Sequence, residues 1–494
     1  RTNYGRGHFS AVFDPTPKHT AGFDIEYTER STHMPTLSRT TLGQTQSDSR
    51  YRQHMDGNTL TATANYIWKI DTLGSQFKLI ADYTRYTSDG DNSYHTTTCA
   101  PGTLRDSLYE SATGSVYDIL TADAGLTRKL PHGLTLRAGL RYTRNDMADK
   151  SRYAAQTQGT WLALPEYSYD QHYTEQIGAA YASLEYSAGR WELSAGLRGE
   201  YTSVASQAFG RSYFGLFPNV SVSRALNALR TWLLVAQWSR NIERPAFPAL
   251  NPARIRISDY SWQSGNPSLR PTYIHRFSLT AVWKYRYTLT VGGNLHHDLI
   301  REIAHRDATA PDAVYIRPEN HYTENHWFVA ASVPAKITRW WNLSVNAVGV
   351  MQRIRLNSTD SPATHYLMFA DATCSFTLPA GFFAEAAYRA QSRLYSGNSE
   401  VGPRHTLSAT VKKQLFDKRL TLFCTLSNIT GCDWEFASLT DGMRRTIDTR
   451  QAWSGRLWKV GAAWNFRTGK KFRARTVESA AETQRKRLVK STEQ

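Results

Sequence analysis

The sequence predicts an all-β protein, a transmembrane antiparallel β-barrel with short periplasmic turns and long extracellular loops. Three observations carry this reading. Apolar and polar residues alternate with period 2 along most of the chain, the alternating runs are long, and the connections between them alternate short and long.

The alternation is plain in GRWELSAGLRGEYTS, where Trp191, Leu193, Ala195, Leu197 and Tyr201 share one face. Glu192, Ser194, Arg198, Glu200 and Thr202 share the other. In HGLTLRAGLRYTRN, Leu134, Leu136, Ala138, Leu140 and Tyr142 oppose Thr135, Arg137, Arg141 and Thr143. RLWKVGAAWNF sets Trp458, Val460, Ala462, Trp464 and Phe466 against Lys459 and Asn465. Such runs are about 10–17 residues long, more than the usual 5–6 of soluble sheets and enough to cross a bilayer at a tilt. No stretch approaches 18 consecutive apolar residues, so no helix spans a membrane.

Tight turns are expected at DTLG (71–74), LPHG (130–133), SAGR (187–190), LNAL (226–229), KYRY (284–287), KITR (336–339), LPAG (378–381) and FDKR (416–419). Between them lie polar connections near 31–56, 90–112, 146–173, 244–267, 303–320 and 431–447, with shorter ones near 205–212, 357–362 and 396–403. Sorting loops by parity is what an outer-membrane barrel does and a soluble sandwich does not. The count comes to about nineteen strands. With the long loops outside, the last strand ends in the periplasm and the strand before DPTPKH (14–19) descends from outside. Bacterial barrels have even strand numbers, so at least one further strand is expected upstream.

The net charge of +17 does not make this a nucleic-acid binder, because the basic residues are mostly spread along the chain among acids. Only residues 467–494 form a basic block, read as a solvated, disordered tail after a barrel spanning 1–466. The four cysteines show no metal-ligand spacing and no disulfide framework, although Cys424 and Cys432 lie near enough in sequence to meet. No nucleophile–base pair, phosphate loop or cofactor motif stands out, so neither an enzyme nor a cofactor is expected.

Five of the eighteen prolines fall between Pro245 and Pro271, where a sheet ladder cannot continue. This stretch resembles the block R-x-I-x-R-P-x-[YF]-x-x-L-N-P … G-N-P-x-L-x-P of TonB-dependent receptors of the Bacteroidota-type outer membrane beta-barrel family. The matching residues are Arg240, Ile242, Arg244, Pro245, Phe247, Leu250, Asn251 and Pro252, then Gly265, Asn266, Pro267, Leu269 and Pro271. YTEQIGAAYASLEYSAGRWELSAGLRGEYT (173–202), FGLFPNVSVSRAL (214–226) and NYIWKIDTLGSQFKLIADYTRY (65–86) resemble further hairpins of that barrel. The resemblance covers residues 1–466. It implies a barrel of about 22 strands around an N-terminal plug, a TonB box for coupling to the energised inner membrane, and uptake of a scarce solute. Iron chelates, cobalamin-like compounds, glycans and peptides are the classes it allows. The chain as given carries neither plug nor TonB box, which leaves a second reading, a plugless surface-binding or structural barrel.

Within this frame the Arg244–Pro271 motif is read as architecture, a shaped cap beside the pore mouth. Arg137, Arg141, Glu192, Arg198 and Glu200 are expected on the lumen face, as contacts for a plug or a solute. Trp161, Tyr167, Tyr169, Tyr260 and Trp262 are loop aromatics able to stack on a ligand or to pack a loop. His296 and Asp298, like the histidines and glutamates of ENHYTENHW (319–327), are too few to close a metal site. The expected partners are outer-membrane lipid, the outer-membrane assembly machinery that would read the aromatic closing strand, and the plug and TonB complex of a full-length protein. No nucleic acid is expected.

Overall fold

The structure, a computed structural model, describes residues 1–207, 209–252, 254–258, 260–307, 313–432, 434–440, 443–449, 455–466 and 477–488. Period-2 sequence becomes one sheet of 22 strands, three of which (Thr160–Ala163, Ile255–Ser258 and Ser261–Gln263) are short pieces inside loops. The other nineteen form the wall in chain order, each antiparallel to the next. The first half runs Thr2–Thr16, His19–Leu42, Thr45–Lys69, Gln76–Ala100, Thr103–Leu130, Leu134–Thr157, Tyr169–Ala188, Trp191–Ser206, Gly210–Ala225 and Trp232–Glu243. The second half runs Thr272–Trp283, Tyr287–Arg306, Val314–Lys336, Trp341–Arg355, Ala363–Leu378, Phe382–Gln391, Arg404–Leu415, Leu420–Ser427 and Leu457–Trp464. Among the described residues, Thr2–Thr16 and Leu457–Trp464 each have one ladder neighbour.

All eight expected tight turns sit on one rim. At LPHG the chain reverses through His132 at φ 60° and Gly133 at φ 75°. A Cβ on Gly133 would lie 2.3 Å from the Ser187 carbonyl oxygen, so the neighbouring strand as well as the backbone angle calls for glycine.

The opposite rim departs from expectation. Segments 31–56 and 90–112 are not loops. The ladder continues to Leu42↔Thr45 and Ala100↔Thr103, giving strands of 24, 25, 25 and 28 residues. Segment 146–173 likewise stays extended to Thr157 before a small hairpin and a 3₁₀ turn at Pro165–Tyr167. The reason is physical. Beyond the bilayer the outer face of a strand meets water instead of acyl chains, so the apolar alternation fades while Thr and Tyr still favour extended backbone. Part of 303–320 (308–312) and of 431–447 (433, 441 and 442) lies outside the described residues. Segments 434–440 and 443–449 form a hairpin within a four-stranded loop sheet. Cys424 and Cys432 are not joined by a disulfide.

The wall's two faces differ as the sequence demands. Leu136, Leu140, Tyr142, Leu193, Leu197 and Tyr201 point outward and are exposed, as are Phe214, Leu279, Leu289 and Val329 on further strands. Asp82, Thr84, Thr121, Asn145, Glu175 and Thr202 point inward and are buried. Trp68, Trp191, Trp232, Trp283, Trp340 and Trp464 stand exposed near the short-turn ends of their strands, an aromatic girdle of the kind that marks a membrane–water interface. On the inner face, hydroxyl pairs such as Thr121–Thr143 at 3.3 Å and Thr280–Thr290 at 2.9 Å bridge neighbouring strands. The outer face gives a direct test: Leu140→Arg places a charge in the apolar band and should cost about 2–4 kcal/mol, read as a lower urea midpoint for the barrel in lipid vesicles.

Candidate functional site

The site is built by the proline-rich connection 244–271. It does not cap the mouth from outside but folds inward against the wall. Proline at the start of a helix costs no hydrogen bond, and here Phe247–Leu250 makes one short turn with Pro248 in its first positions. Phe247, Leu250 and Leu269 are at most 2% exposed. They pack with Tyr117, Ile119, Met147, Tyr173 and Val204 of the wall, and Phe247 meets the Tyr117 ring edge-on at 5.7 Å. An apolar cluster inside a polar lumen is the reason for the inward fold, since burying these side chains outweighs what a water-facing cap would gain.

The remaining motif residues close the loop on itself. Gly265 N–H donates to the Asn251 carbonyl at 2.9 Å, and Asn266 N–H to that of Ala249 at 2.7 Å. A Cβ on Gly265 would sit 2.1 Å from the Asn251 oxygen, so only glycine fits. The Asn266 side-chain amide donates to the Pro318 carbonyl at 3.0 Å, tying the loop to the strand Val314–Lys336. Pro245 offers its carbonyl to a guanidinium described below, and Pro252, Pro267 and Pro271 punctuate the extended stretches between these anchors.

Arg244 is the loop's charged anchor. Its guanidinium donates to Glu200 at 2.7 Å and to the Thr202 hydroxyl at 2.9 Å, and stands 3.8 Å from Glu175. Burial alone would lower its pKa, but Tyr213, Glu200 and Glu175 outweigh that and hold it above the ordinary arginine value. Arg198 donates to the other Glu200 oxygen at 2.5 Å, so one carboxylate serves two arginines. Arg141 pairs with Asp123 at 2.7 Å, and Arg137 makes a two-pronged contact with Glu185 at 3.0 Å. Glu192 lies exposed near the short-turn rim, opposite Ser187 and Ser223. These five are therefore inner-face residues, and four of them are engaged with other wall or loop side chains.

Among the loop aromatics, Tyr167 stacks on Trp262 at 6.0 Å, with the Arg254 guanidinium over both rings. Trp262 also lies under Arg256, so this pair packs one loop against another. Tyr260 accepts the Val314 N–H through its backbone oxygen, and Trp161 stands exposed at a hairpin tip. Tyr169 differs. With Tyr51, Tyr86 and Tyr117 of the wall and Asn251 and Gly265 of the loop, it lines a lumen cavity of about 280 Å³. Among the described residues, no charged side chain lines it. A larger concavity of about 920 Å³, lined by Leu79, Leu140, Leu197, Tyr201 and Phe214 among others, opens on the outer apolar surface and faces lipid.

The histidines resolve differently from their spacing. Asp298 adopts φ 57°, which breaks the regular alternation, and it pairs with Arg270 at 2.6 Å. His296 instead meets the Glu324 carbonyl and packs edge-on against His326 at 5.0 Å. Glu324, fully buried, accepts from His326 and Gln352 at 2.8 Å and from Arg301 at 2.9 Å, with His321 at 3.4 Å. No three His, Cys, Asp or Glu side chains converge as a metal site among the described residues.

Residues 477–488, expected to be a disordered, solvated tail, are folded inside the lumen as a short helical stretch (Glu482–Arg485, then Lys486–Leu488), with Arg487 7% exposed. Composition could not show this, because a basic run looks alike in water and beside buried carboxylates. Residues 467–476 and 489–494 lie outside the described residues. Glu175, the inward carboxylate of YTEQI, is placed on the lumen face by parity alone and is 1% exposed.

A wide antiparallel wall with an apolar outer band, a tryptophan girdle and a polar, partly filled lumen defines an outer-membrane β-barrel. The chain belongs to the outer membrane protein beta-barrel family, whose model matches residues 68–464. A search of curated protein sequences gives no match. Among solved structures, the ferric-catecholate import receptor Fiu from K12 E. coli is similar, with a TM-score of 0.58 at 10% identity, covering 94% of this chain and 80% of that one. The siderophore receptor PiuA from Acinetobacter baumannii gives a TM-score of 0.50 at 9% identity, covering 93% of this chain and 79% of that one. At such identities the likeness is one of fold.

Proposed function

We propose that this barrel is the wall of a TonB-dependent receptor that takes up a scarce solute through its lumen. The observation that carries the reading is the inward-folded 244–271 connection, which leaves a tyrosine- and amide-lined cavity inside the barrel. The fold shared with receptors named for ferric catecholates and siderophores supports uptake as the activity. The cavity favours a different solute. Its hydroxyls, amides and ring faces, with no charged lining residue among those described, suit sugar hydroxyls or peptide amides better than an anionic chelate.

Calorimetric titration of the purified barrel with neutral oligosaccharides, short peptides and ferric catecholates tests the solute. Binding of a neutral ligand that weakens about tenfold in Tyr169→Ala is expected, the effect of losing one well-packed ring. Tight binding of the ferric catecholates alone would overturn the choice of solute. Uptake in cells tests the transport itself: it should stop when a protonophore collapses the inner-membrane gradient, and uptake that continues would point to passive entry.

A further inference from the structure

The strongest unassigned feature is what occupies the lumen. Residues 477–488 rest against the inner wall through contacts spread over several strands. Lys78 donates to both Glu478 oxygens at 2.8 Å, and Ala480 N–H donates to Asp82 at 2.7 Å. Asn145 donates to Gln484 at 3.3 Å. Arg487 then completes the run, donating to Glu175 at 2.5 Å, to Gln484 at 2.8 Å and to the Pro245 carbonyl at 3.0 Å. Its guanidinium lies 4.3 Å from the Phe247 ring centre. Leu488 follows onto the apolar cluster and borders the tyrosine-lined cavity.

The receiving groups make this a built seat. Asp82, Asn145 and Glu175 are at most 1% exposed, and a buried carboxylate without a counter-charge is costly. Charges match along the run: a wall lysine meets Glu478, and a wall carboxylate meets Arg487. The guanidinium is held by charge, by a carbonyl and by a ring face together, three features that a lysine in its place would not all satisfy.

We infer that residues 477–488 are a tethered lumen ligand, an arginine-led peptide that closes the space between the wall and the 244–271 connection, and that the lumen opens when it leaves. It borders the cavity proposed for the solute, yet its presence stands on its own contacts and not on any choice of solute.

Two measurements on the full chain test this. In the first, Lys78→Cys and Glu478→Cys are combined, well away from the Arg487 seat, and the barrel is oxidised in lipid. A seated segment gives an intramolecular cross-link, seen as a mobility shift that neither single variant shows; failure to cross-link overturns the inference. In the second, planar-bilayer conductance is compared between the parent and Arg487→Ala. Open occupancy should rise about tenfold or more on loss of a buried charge pair, and a synthetic peptide of residues 477–488 added to the variant should reverse it. Unchanged conductance in a variant that still migrates as a folded barrel overturns the inference. If Arg487→Ala does not fold, the cross-link alone decides.

Discussion

Arg244→Ala should lower the stability of the barrel by about 3–5 kcal/mol, among the largest effects of any single substitution in this chain. The cause is what remains behind. Glu200 and Glu175 are buried at 6% and 1% exposure, and Arg244 faces both of them. Arg198 and Arg487 stay to compensate in part, which keeps the effect near the lower end of that range. The loop should come loose as well, because Arg244 ties its first residue to the strand Trp191–Ser206. Urea midpoints in lipid vesicles read the first effect and faster trypsin cleavage at Arg254 or Arg256 reads the second. A double variant, Arg244→Ala with Glu200→Gln, should lose less than the two singles combined, since the partners share one interaction. Strict additivity would mean that the pair does not couple.

Glu324→Leu should be comparably damaging, about 3 kcal/mol, for the opposite reason. The carboxylate is the hub, and its removal leaves Arg301, His326 and Gln352 facing an apolar side chain. Arg301 is 21% exposed and can recover some hydration, so the loss falls short of that for a fully enclosed pair. Glu324→Gln keeps the shape and part of the hydrogen bonding and should cost less than half as much. The same urea midpoints rank the two variants, and equal losses would show that shape rather than charge sustains the cluster.

The wall was open to sequence reading because lipid enforces a strict rule. Where one face meets acyl chains and the other a polar lumen, residues such as Leu193, Leu197 and Tyr201 must alternate with Glu192, Arg198 and Glu200, and the strand count followed. Above the bilayer that rule lapses, which is why 31–56 and 90–112 read as loops although their backbone stays in the ladder. The candidate site was less legible for a related reason. Arg244, Gly265 and Leu269 announce an ordered structure, but nothing in their order says whether it turns outward or inward. That was decided by the meeting of Phe247, Leu250 and Leu269 with Tyr117, Met147 and Val204, partners distant in sequence. The seat of Arg487 depends on Glu175, more than three hundred positions away.

The long hairpins carry a further consequence. A strand of 25 residues has a contour of about 80 Å, far more than the apolar band of about 25 Å needs even at a steep tilt. Much of the excess stands in water, although Ser47, Tyr94, Thr96 and Ser111 on its inner face are buried. At its exposed positions side chains need only suit extended backbone and water, so they can be exchanged with little penalty to the barrel beneath. The molecule thus joins a part that is chemically conservative by necessity to a part free to vary. The side of the cell that meets phages, antibodies and competitors is the side on which this protein can change its appearance and still fold.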